Sequence, residues 1–178
     1  MQKKLALITG ANGGIGGAVS KRFEEAGYDV LKPSSKELNL SDESSIQQWC
    51  VNNSNLRPST IVLCAGINLP ESFENQTDSE FRMINQVNLF ANIYILRNFA
   101  PSMSPDNTPR IVFISSLYAS KSRKGRSAYS VSKAGLDALM RSLALEFAEK
   151  RILVNSVAPG FVETELTYAN NDPNNIKK

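Results

Sequence analysis

The chain carries a tyrosine and a lysine four residues apart, in the segment Tyr129-Ser130-Val131-Ser132-Lys133. Residues four apart lie on one face of a helix, so the phenol and the ammonium group are expected to share the same space. A phenol has an unperturbed pKa of about 10, and a cation one turn away favours the phenolate and lowers that pKa. The pair therefore predicts proton transfer to or from a substrate oxygen. Alone it is weak evidence, because a half-buried tyrosine beside a solvated lysine gives the same pattern.

A second stretch with chemical meaning is glycine-rich and runs from Thr9 to Gly17. It follows a continuous apolar run, Leu5 to Thr9, and precedes a helical pattern that closes at Gly27. The glycines allow a tight turn and a close backbone approach, so the free N–H groups at the start of the helix can hold a pyrophosphate. The sequence therefore predicts a phosphate-binding turn, with an ordinary glycine-rich loop as the alternative.

The rest of the chain alternates between strand and helix patterns. Further strands are predicted at 28–31, 60–65, 110–116 and 152–158, and further helices from about 42 to 51, from Ser79 to before Pro101, and from Tyr129 to Ala148. Alternation of this kind predicts the α/β class, with a doubly wound parallel sheet whose ligands bind at the carboxyl ends of the strands. We expect one domain over residues 1–169, followed by a polar, disordered tail at 170–178.

Composition excludes several classes of function. The 178 residues carry a net charge of only +3, which argues against a nucleic-acid-binding protein. No apolar run approaches the ~18 residues of a membrane span, and the run at 5–9 is too short for a signal peptide. Histidine is absent, so histidine-based triads and zinc sites are excluded and no metal site is expected. The two cysteines, Cys50 and Cys64, lack metal-like spacing and are expected to be reduced thiols in a cytoplasmic protein.

Six motifs, taken together, carry a family resemblance. They are Thr9-Gly10 with Gly14 and Gly16, Cys64-Ala65-Gly66, Asn88, Ser116, Tyr129 with Lys133, and Pro159-Gly160 with Thr164. In order and spacing they resemble the short-chain dehydrogenase/reductase family from Lys4 to about Thr167, with cysteine at Cys64 where that family usually has asparagine. The tract 154–167 is most similar to the 3-oxoacyl-carrier-protein reductase branch.

The resemblance implies a Rossmann fold and hydride transfer between a nicotinamide cofactor and a small ketone or secondary alcohol. Tyr129 would be the acid–base, Lys133 would lower its pKa and bind the nicotinamide ribose, and Ser116 would orient the substrate oxygen. Asn88 would hold a water that links Lys133 to solvent. Ser116 could instead bond only to the local backbone, and Asn88 could instead be an amide on the helix surface. The cofactor contacts implied are Gly10, Asn12, Gly14, Ile15, Gly16, Asn39, Leu40, Ala65, Gly66, Tyr129, Lys133, Pro159, Gly160, Val162 and Thr164.

Two basic segments concern the choice of cofactor and of substrate. The end of the second strand reads Lys32-Pro33-Ser34-Ser35-Lys36 and has no acid to bind a ribose 2′-hydroxyl, which favours NADP over NAD. NAD stays an alternative, because both lysines could simply be solvated. The loop that contains Lys121, Arg123, Lys124 and Arg126 flanks the expected substrate mouth. It could attract an anionic substrate such as a phosphopantetheine thioester, or it could be a solvated surface loop.

The chain also departs from the family pattern. Members usually continue well past the Pro-Gly motif, with a helical segment over the substrate, a further helix and a last strand. Only 18 residues follow Gly160 here, so we expect the sheet to lack the usual last strand and helix. The long helices remain and predict a homo-oligomer, either a dimer or a tetramer. The leading hypothesis is an NADP(H)-dependent oxidoreductase. A catalytically impaired nucleotide-binding module is the alternative, and an epimerase or dehydratase is disfavoured by the short chain and the Ser116 spacing.

Overall fold

The centre of the molecule is a parallel sheet. The computed structural model describes residues 3–103 and 108–171, and within them it contains five strands in the order β2-β1-β3-β4-β5. The strands are β1 Leu5–Thr9, β2 Asp29–Leu31, β3 Thr60–Leu63, β4 Arg110–Ile114 and β5 Leu153–Val157. Every neighbouring pair is parallel, which confirms the predicted sheet. β3, β4 and β5 end one or two residues earlier than predicted. The loops at the ligand-binding edge of the sheet therefore begin earlier in the sequence.

Helices cover both faces of this sheet. They are α1 Gly14–Glu25, α2 Glu43–Asn52, α3 Asp78–Asn85, α4 Ala91–Phe99, α5 Ser127–Glu146 and α6 Glu165–Asn170. Side chains alternate along each strand, so β1 sends Leu7 to one face and Ala6 and Ile8 to the other. The first face packs against α2, α4 and α5, and the second packs against α1. The doubly wound α/β architecture is therefore confirmed.

Local signals explain where several helices begin and end. Asp42 caps α2 by accepting a hydrogen bond from the Ser44 amide at 2.9 Å. Gly27 follows α1 with φ +84°, the left-handed conformation that makes glycine the usual residue after a helix. The third helix starts earlier than predicted, because Thr77 and Glu80 form a reciprocal capping box.

The predicted uninterrupted helix between Ser79 and Pro101 is wrong in one respect. A π-helical turn, Gln86–Phe90, separates α3 from α4. The extra residue in this turn shifts the helical phase and leaves backbone groups that side chains must satisfy, and such turns frequently accompany functional sites. The turn contains Asn88, one of the predicted catalytic residues.

A short helix after the Pro-Gly motif was not predicted. Thr164 caps α6 by accepting a hydrogen bond from the Thr167 amide, and Asn170 is the last residue of the helix. The tail predicted to be disordered, 170–178, lies outside the described residues except for Asn170 and Asn171. Among the residues that the model describes, none of the helices combines the length and apolarity needed to cross a bilayer.

Candidate active site

A cavity of about 690 Å³ opens at the carboxyl ends of β1 and β3. This volume falls in the range of about 300–1,000 Å³ that small-molecule and cofactor sites occupy. Ten of the predicted cofactor contacts line it: Gly10, Asn12, Gly14, Ile15, Gly16, Asn39, Leu40, Ala65, Gly66 and Thr164. The cavity is also lined by Ser35 and Cys64, which belong to segments that the sequence marked, and by Ile67, Leu166 and Ala169, which it did not single out. The α6 helix, through Thr164 to Ala169, covers one side of the cavity.

Glycine is required at two points of the turn between β1 and α1. Gly10 has φ +67°, and a Cβ added there would lie 2.7 Å from the backbone nitrogen of Ala65. A Cβ on Gly16 would lie 2.2 Å from the carbonyl oxygen of Gly10. Any side chain at either position would push the turn away from β3 or from α1. The backbone is therefore held close enough for the first turn of α1 to present its N–H groups to an anion.

Gly14 connects this turn to the Pro-Gly segment. A Cβ at Gly14 would lie 2.5 Å from the Cγ2 methyl of Thr164. Thr164 thus rests directly on the first residue of α1, with no room for a larger neighbour. Two motifs separated by 150 positions in the sequence meet across the cavity, and this contact places the start of α6 over the phosphate-binding turn.

Tyr129 and Lys133 lie one turn apart on α5, as their spacing predicted. The Lys133 Nζ atom is 5.6 Å from the centroid of the Tyr129 ring and donates a hydrogen bond to the Ile114 carbonyl at 2.7 Å. Burial lowers the pKa of Lys133 to about 8, with Cys64 and Asp137 acting in the opposite direction. Lys133 is thus a buried cation fixed to the end of β4 beside the phenol.

The direction predicted for the Tyr129 pKa is wrong. Burial raises the pKa of this phenol above its usual value, while a hydrogen bond with Ser116 and the charge of Arg126 lower it. Lys133, whose ammonium is bonded to the Ile114 carbonyl, is not among the groups that act on this pKa, and burial outweighs the lowering by Ser116 and Arg126. Ser116 also accepts a hydrogen bond from the Tyr118 amide at 3.2 Å. The local backbone bond, which was the alternative for Ser116, is therefore present, and its contact with a substrate oxygen stays a prediction.

Asn88 is fully buried, so the alternative of a helix-surface amide is wrong. Its Oδ1 accepts from the Ile67 amide at 2.8 Å, and its Nδ2 donates to the Ile67 carbonyl at 2.9 Å and to Ser132 Oγ at 3.0 Å. A Cβ on Gly66 would lie 3.3 Å from Asn88 Oδ1 and 3.5 Å from Lys133 Nζ. Asn88 thereby ties the segment after β3 to α5, at the point where the cavity wall passes Lys133.

Five predicted cofactor residues do not line the cavity. Tyr129 and Lys133 are not among the lining residues, although a Cβ on the lining residue Gly66 would lie 3.5 Å from Lys133 Nζ. Pro159 accepts a hydrogen bond from the Leu117 amide at 3.1 Å, and Gly160 and Val162 are exposed. Pro159 thus ties the segment after β5 to the loop after β4, next to Ser116. Their contacts with a cofactor remain predictions.

At the end of the cavity near β2, Lys32 does not take the position expected of a residue that binds a 2′-phosphate. Lys32 Nζ forms an ion pair with Glu24 at 2.6 Å and does not line the cavity. The one acid of residues 33–41, Glu37, accepts hydrogen bonds from the amide and the hydroxyl of Ser34, each at 2.8 Å. Ser35 lines the cavity here, and no carboxylate of residues 33–41 does so.

Arg126 is far more buried than its place in a basic loop suggested. It was placed in a basic loop with a solvated alternative, yet it is 5% exposed. Its Nη2 donates to the Asn170 carbonyl and to Asn171 Oδ1, which joins the start of α5 to the end of α6. Composition cannot tell which of several neighbouring cations is buried, so no sequence signal distinguished Arg126 from Arg123 or Lys124.

These features define a dinucleotide-binding α/β protein with a candidate proton-transfer site. The glycine turn has no space for side chains at Gly10 and Gly16, and the cavity has the volume of a cofactor site. Lys133 lies next to the cavity-lining residue Gly66, with the Tyr129 ring 5.6 Å from its Nζ and Ser116 bonded to the phenol. A phosphate-linked dinucleotide fits this arrangement, with its phosphates at the start of α1. Gly10, Gly14 and Gly16 would hold the phosphates, and Asn39 and Leu40 would contact the adenine end.

Comparison with known proteins places the chain in a family. The model of the family described as short chain dehydrogenase matches residues 37–175. The 3-oxoacyl-(acyl-carrier-protein) reductase FabG of Rickettsia bellii is 34% identical over 183 residues, covering 94% of this chain and 76% of that protein. The chain belongs to the short chain dehydrogenase family, and it is an NAD(P)-dependent oxidoreductase by that membership.

Solved structures agree with this assignment. A Beutenbergia cavernae protein solved with bound NADP at low occupancy has a TM-score of 0.88 and 26% identity, and the match covers 98% of this chain and 78% of that one. A 4-hydroxyisoleucine dehydrogenase complexed with NADH has a TM-score of 0.84 and 29% identity, covering 92% of this chain and 78% of that one. The fold similarity spans the whole cavity and α5.

Proposed function

We propose that the chain transfers hydride between NADP(H) and a ketone or secondary alcohol, with Tyr129 as the acid–base. The observation that carries the proposal is the position of Lys133, whose Nζ would lie 3.5 Å from a Cβ on the cavity-lining residue Gly66. The Tyr129 ring lies 5.6 Å from that Nζ, and Ser116 is hydrogen-bonded to the phenol. Bound NADPH would supply the hydride to the carbonyl carbon and leave as NADP⁺. Hydride and proton together convert the ketone to the secondary alcohol.

The raised pKa of Tyr129 suits proton donation. Because burial keeps the phenol protonated at neutral pH, Tyr129 can give its proton to the carbonyl oxygen during reduction. The phenolate left behind is stabilised by the Ser116 hydroxyl and by the positive charge of Arg126, the two groups that lower the Tyr129 pKa. In the oxidation direction the phenolate takes the proton back from the alcohol. Ser116, bonded to the phenol, also lies where it can orient the substrate oxygen.

NADP is proposed over NAD because no carboxylate of residues 33–41 lines the cavity, while the hydroxyl of Ser35 does. A carboxylate at this end would bind a ribose 2′-hydroxyl and repel a 2′-phosphate. Lys32 forms an ion pair with Glu24 and does not support this choice of cofactor. A 3-oxoacyl thioester is a candidate substrate, supported by the printed activity of the Rickettsia bellii relative.

The decisive variant is Tyr129→Phe, which removes the proton and keeps the ring. We expect kcat for ketone reduction to fall about 10²–10⁴-fold, the usual contribution of a general acid, while NADPH affinity changes less than about threefold. Tyr118→Phe is the matched control, since its ring packs edge-on against Tyr129 at 6.3 Å and it is assigned no proton transfer. Retention of most activity by Tyr129→Phe would show that the acid has been assigned wrongly. Tight NADPH binding without turnover of any ketone would favour the nucleotide-binding module.

Two further proposals concern the state of the protein in the cell. A homo-oligomer is proposed because α5 and the π-helical turn expose Val131 and Phe90, which are 52% and 48% exposed. Analytical ultracentrifugation tests it, and a monomer at micromolar concentration would contradict it. A reducing, cytoplasmic compartment is proposed because both Cys50 and Cys64 are free thiols.

A further inference from the structure

The two edges of the sheet differ in how well they are protected against pairing with another strand. β2 lies at one end of the strand order and β5 at the other. β2 is three residues long, its Asp29 forms an ion pair with Lys3, and Pro33 follows shortly after it. β5 is five residues long and contains neither a charged residue nor a proline. Because charges and prolines are what usually keep an exposed edge from pairing, the edge of β5 is open to another strand.

The hydrogen bonds of β5 show which of its backbone groups are available. The Leu153 amide donates to the carbonyl of the residue before β4, and the Val157 carbonyl accepts from the amide of the residue after β4. Backbone groups alternate between the two sides of a strand, so Val154 and Ser156 direct their N–H and C=O groups away from β4. In the part of the chain that the structure describes, no strand pairs with this side of β5.

One face of β5 is also uncovered. Leu153 and Val157 are 47% and 52% exposed, and Asn155 between them is exposed as well. Val154 points to the opposite face and belongs to the core. The strand therefore presents two apolar side chains, separated by an amide, beside a row of outward backbone groups.

The sequence of β5 is complementary to itself when two copies run antiparallel. With Asn155 on a twofold axis, Val154 of one copy lies opposite Ser156 of the second copy, and these residues can exchange both N–H···O bonds of a hydrogen-bonded pair. Leu153 then lies opposite Val157 of the second copy, which forms an apolar cross-strand pair. Moving the axis by one residue in either direction would instead place Asn155 opposite Leu153 or Val157. The register centred on Asn155 is therefore the favoured one.

The charges at the two ends of β5 favour the same direction. Lys150 and Arg151 lie just before the strand and Glu163 lies after it, and all three are exposed. An antiparallel copy brings the basic start of one strand toward the acidic end of the other, whereas a parallel copy would bring like charges together. Charges at the rim of an interface contribute mainly to orientation, so they select the antiparallel arrangement.

We propose that the outer edge of β5 pairs with the same edge of a second copy of this chain, antiparallel and with the twofold axis at Asn155. The two five-stranded sheets then form one continuous sheet. This interface uses other residues than the helical surface with Val131 and Phe90, and it does not depend on the proposed function. Two strands this short bury less than the roughly 1,200 Å² of a stable interface, so the dimer forms only at about micromolar concentrations or above.

Cysteine cross-linking tests the register. Asn155→Cys places a thiol on the axis, where facing Cα atoms are about 4.5 Å apart and within reach of a disulfide. At about 100 µM protein under mild oxidation, we expect at least about tenfold more disulfide-linked dimer than for the unmodified chain, whose Cys50 and Cys64 supply the baseline. Leu153→Cys and Val157→Cys should cross-link when mixed but not alone, because identical residues are four positions, about 14 Å, apart.

Two cross-linking results would overturn the inference. The first is an Asn155→Cys variant that forms no more dimer than the unmodified chain. The second is a Leu153→Cys variant that cross-links alone as fast as Asn155→Cys, since that would show collisions without a fixed register.

Sedimentation velocity measures the same association without a cross-link. Val157→Lys puts a charge opposite Leu153 of the second copy and should raise the dissociation constant about tenfold or more. Val51→Lys is the matched control, because it places the same charge at a 65% exposed valine of α2 and should leave the dissociation constant unchanged. Equal weakening by both variants, or by neither, would contradict pairing through β5.

Amide hydrogen exchange distinguishes a second copy from any other cover of this edge. The Val154 and Ser156 amides should become more protected as the protein concentration rises, and Val157→Lys should abolish that change. Protection that is independent of concentration would mean that the edge is covered within one chain, and absence of protection would mean that it stays open. Either result would overturn the inference, and none of these readouts depends on turnover.

Discussion

Replacing Asn88 by alanine tests whether this residue holds the site together. The side chain forms three hydrogen bonds, two with the Ile67 backbone and one with Ser132 Oγ, at 2.8, 2.9 and 3.0 Å. All of them are made by a residue with 0% exposure. At about 1 kcal/mol of net stability for each bond, Asn88→Ala should lower the free energy of unfolding by roughly 3 kcal/mol. For a chain of this size that loss corresponds to a fall in Tm of about 6–12 °C.

Asn92 offers a matched control one turn further along. It is also 0% exposed, but its Nδ2 makes one hydrogen bond, to the Asn88 carbonyl at 2.8 Å. Its Oδ1 is buried and has no hydrogen-bond partner in the described part of the chain. Asn92→Ala removes the same atoms, breaks one hydrogen bond and eliminates an unsatisfied oxygen, so we expect a change of at most about 1 kcal/mol.

The assay is urea denaturation of the two variants and the unmodified chain, followed by circular dichroism at one pH. The comparison cancels the loss of packing, because both changes delete the same amide from a fully buried position. Equal destabilisation by the two variants would refute the hydrogen-bond argument. So would a loss below about 1 kcal/mol for Asn88→Ala, since the Ile67 backbone would then be satisfied in another way.

Three further predictions concern the cavity and Lys133. Gly14→Ala should weaken NADPH binding by about tenfold or more, because its Cβ would lie 2.5 Å from the Thr164 methyl. Adding Thr164→Ser, which removes that methyl, should restore part of the affinity. Fluorescence titration measures both affinities, and a double variant that binds no better than Gly14→Ala would contradict the prediction. Lys32→Ala should change NADPH affinity less than about threefold, since the lysine already forms an ion pair with Glu24. A loss of about tenfold would mean that Lys32 breaks this ion pair and binds the 2′-phosphate instead. Between pH 8 and the ordinary lysine value, the unfolded chain binds more protons than the folded chain, because burial lowers the Lys133 pKa to about 8. The unmodified chain should therefore gain roughly 1.5 kcal/mol over Lys133→Met from pH 8 to about 9.5, measured by urea denaturation, and a constant difference would contradict this.

Much of the fold could be predicted because its signals are local. The apolar run of β1, the glycines that follow it and the cap at Asp42 each specify their own geometry within a few residues. Positions on different strands were brought together by one general rule, that the carboxyl ends of parallel strands share an edge. Gly10, Gly66 and Thr164 were therefore expected near one another, and all three line the cavity.

Other features depend on packing that the sequence does not display. The π-helical turn at Gln86–Phe90 keeps apolar residues at helical spacing on both sides, so the pattern looked like one helix. The pKa of Tyr129 depends on burial, and spacing reveals only which charge lies nearby. The α6 helix did carry a signal, since Thr164 followed by Glu165 is a helix start, but it was hidden beside an asparagine-rich tail.

The support that Ala65 gives to the Gly10 turn sets an order of events while the protein is being synthesised. A nascent chain that ends before Thr60 has all the glycines of the first loop but lacks the backbone against which Gly10 turns. It also lacks β3, one of the two neighbours of β1. We therefore expect the phosphate-binding turn to mature only after β3 and Ala65 have been synthesised. For the same reason, grafting residues 5–25 into another scaffold would transfer the glycines without the turn that they form here.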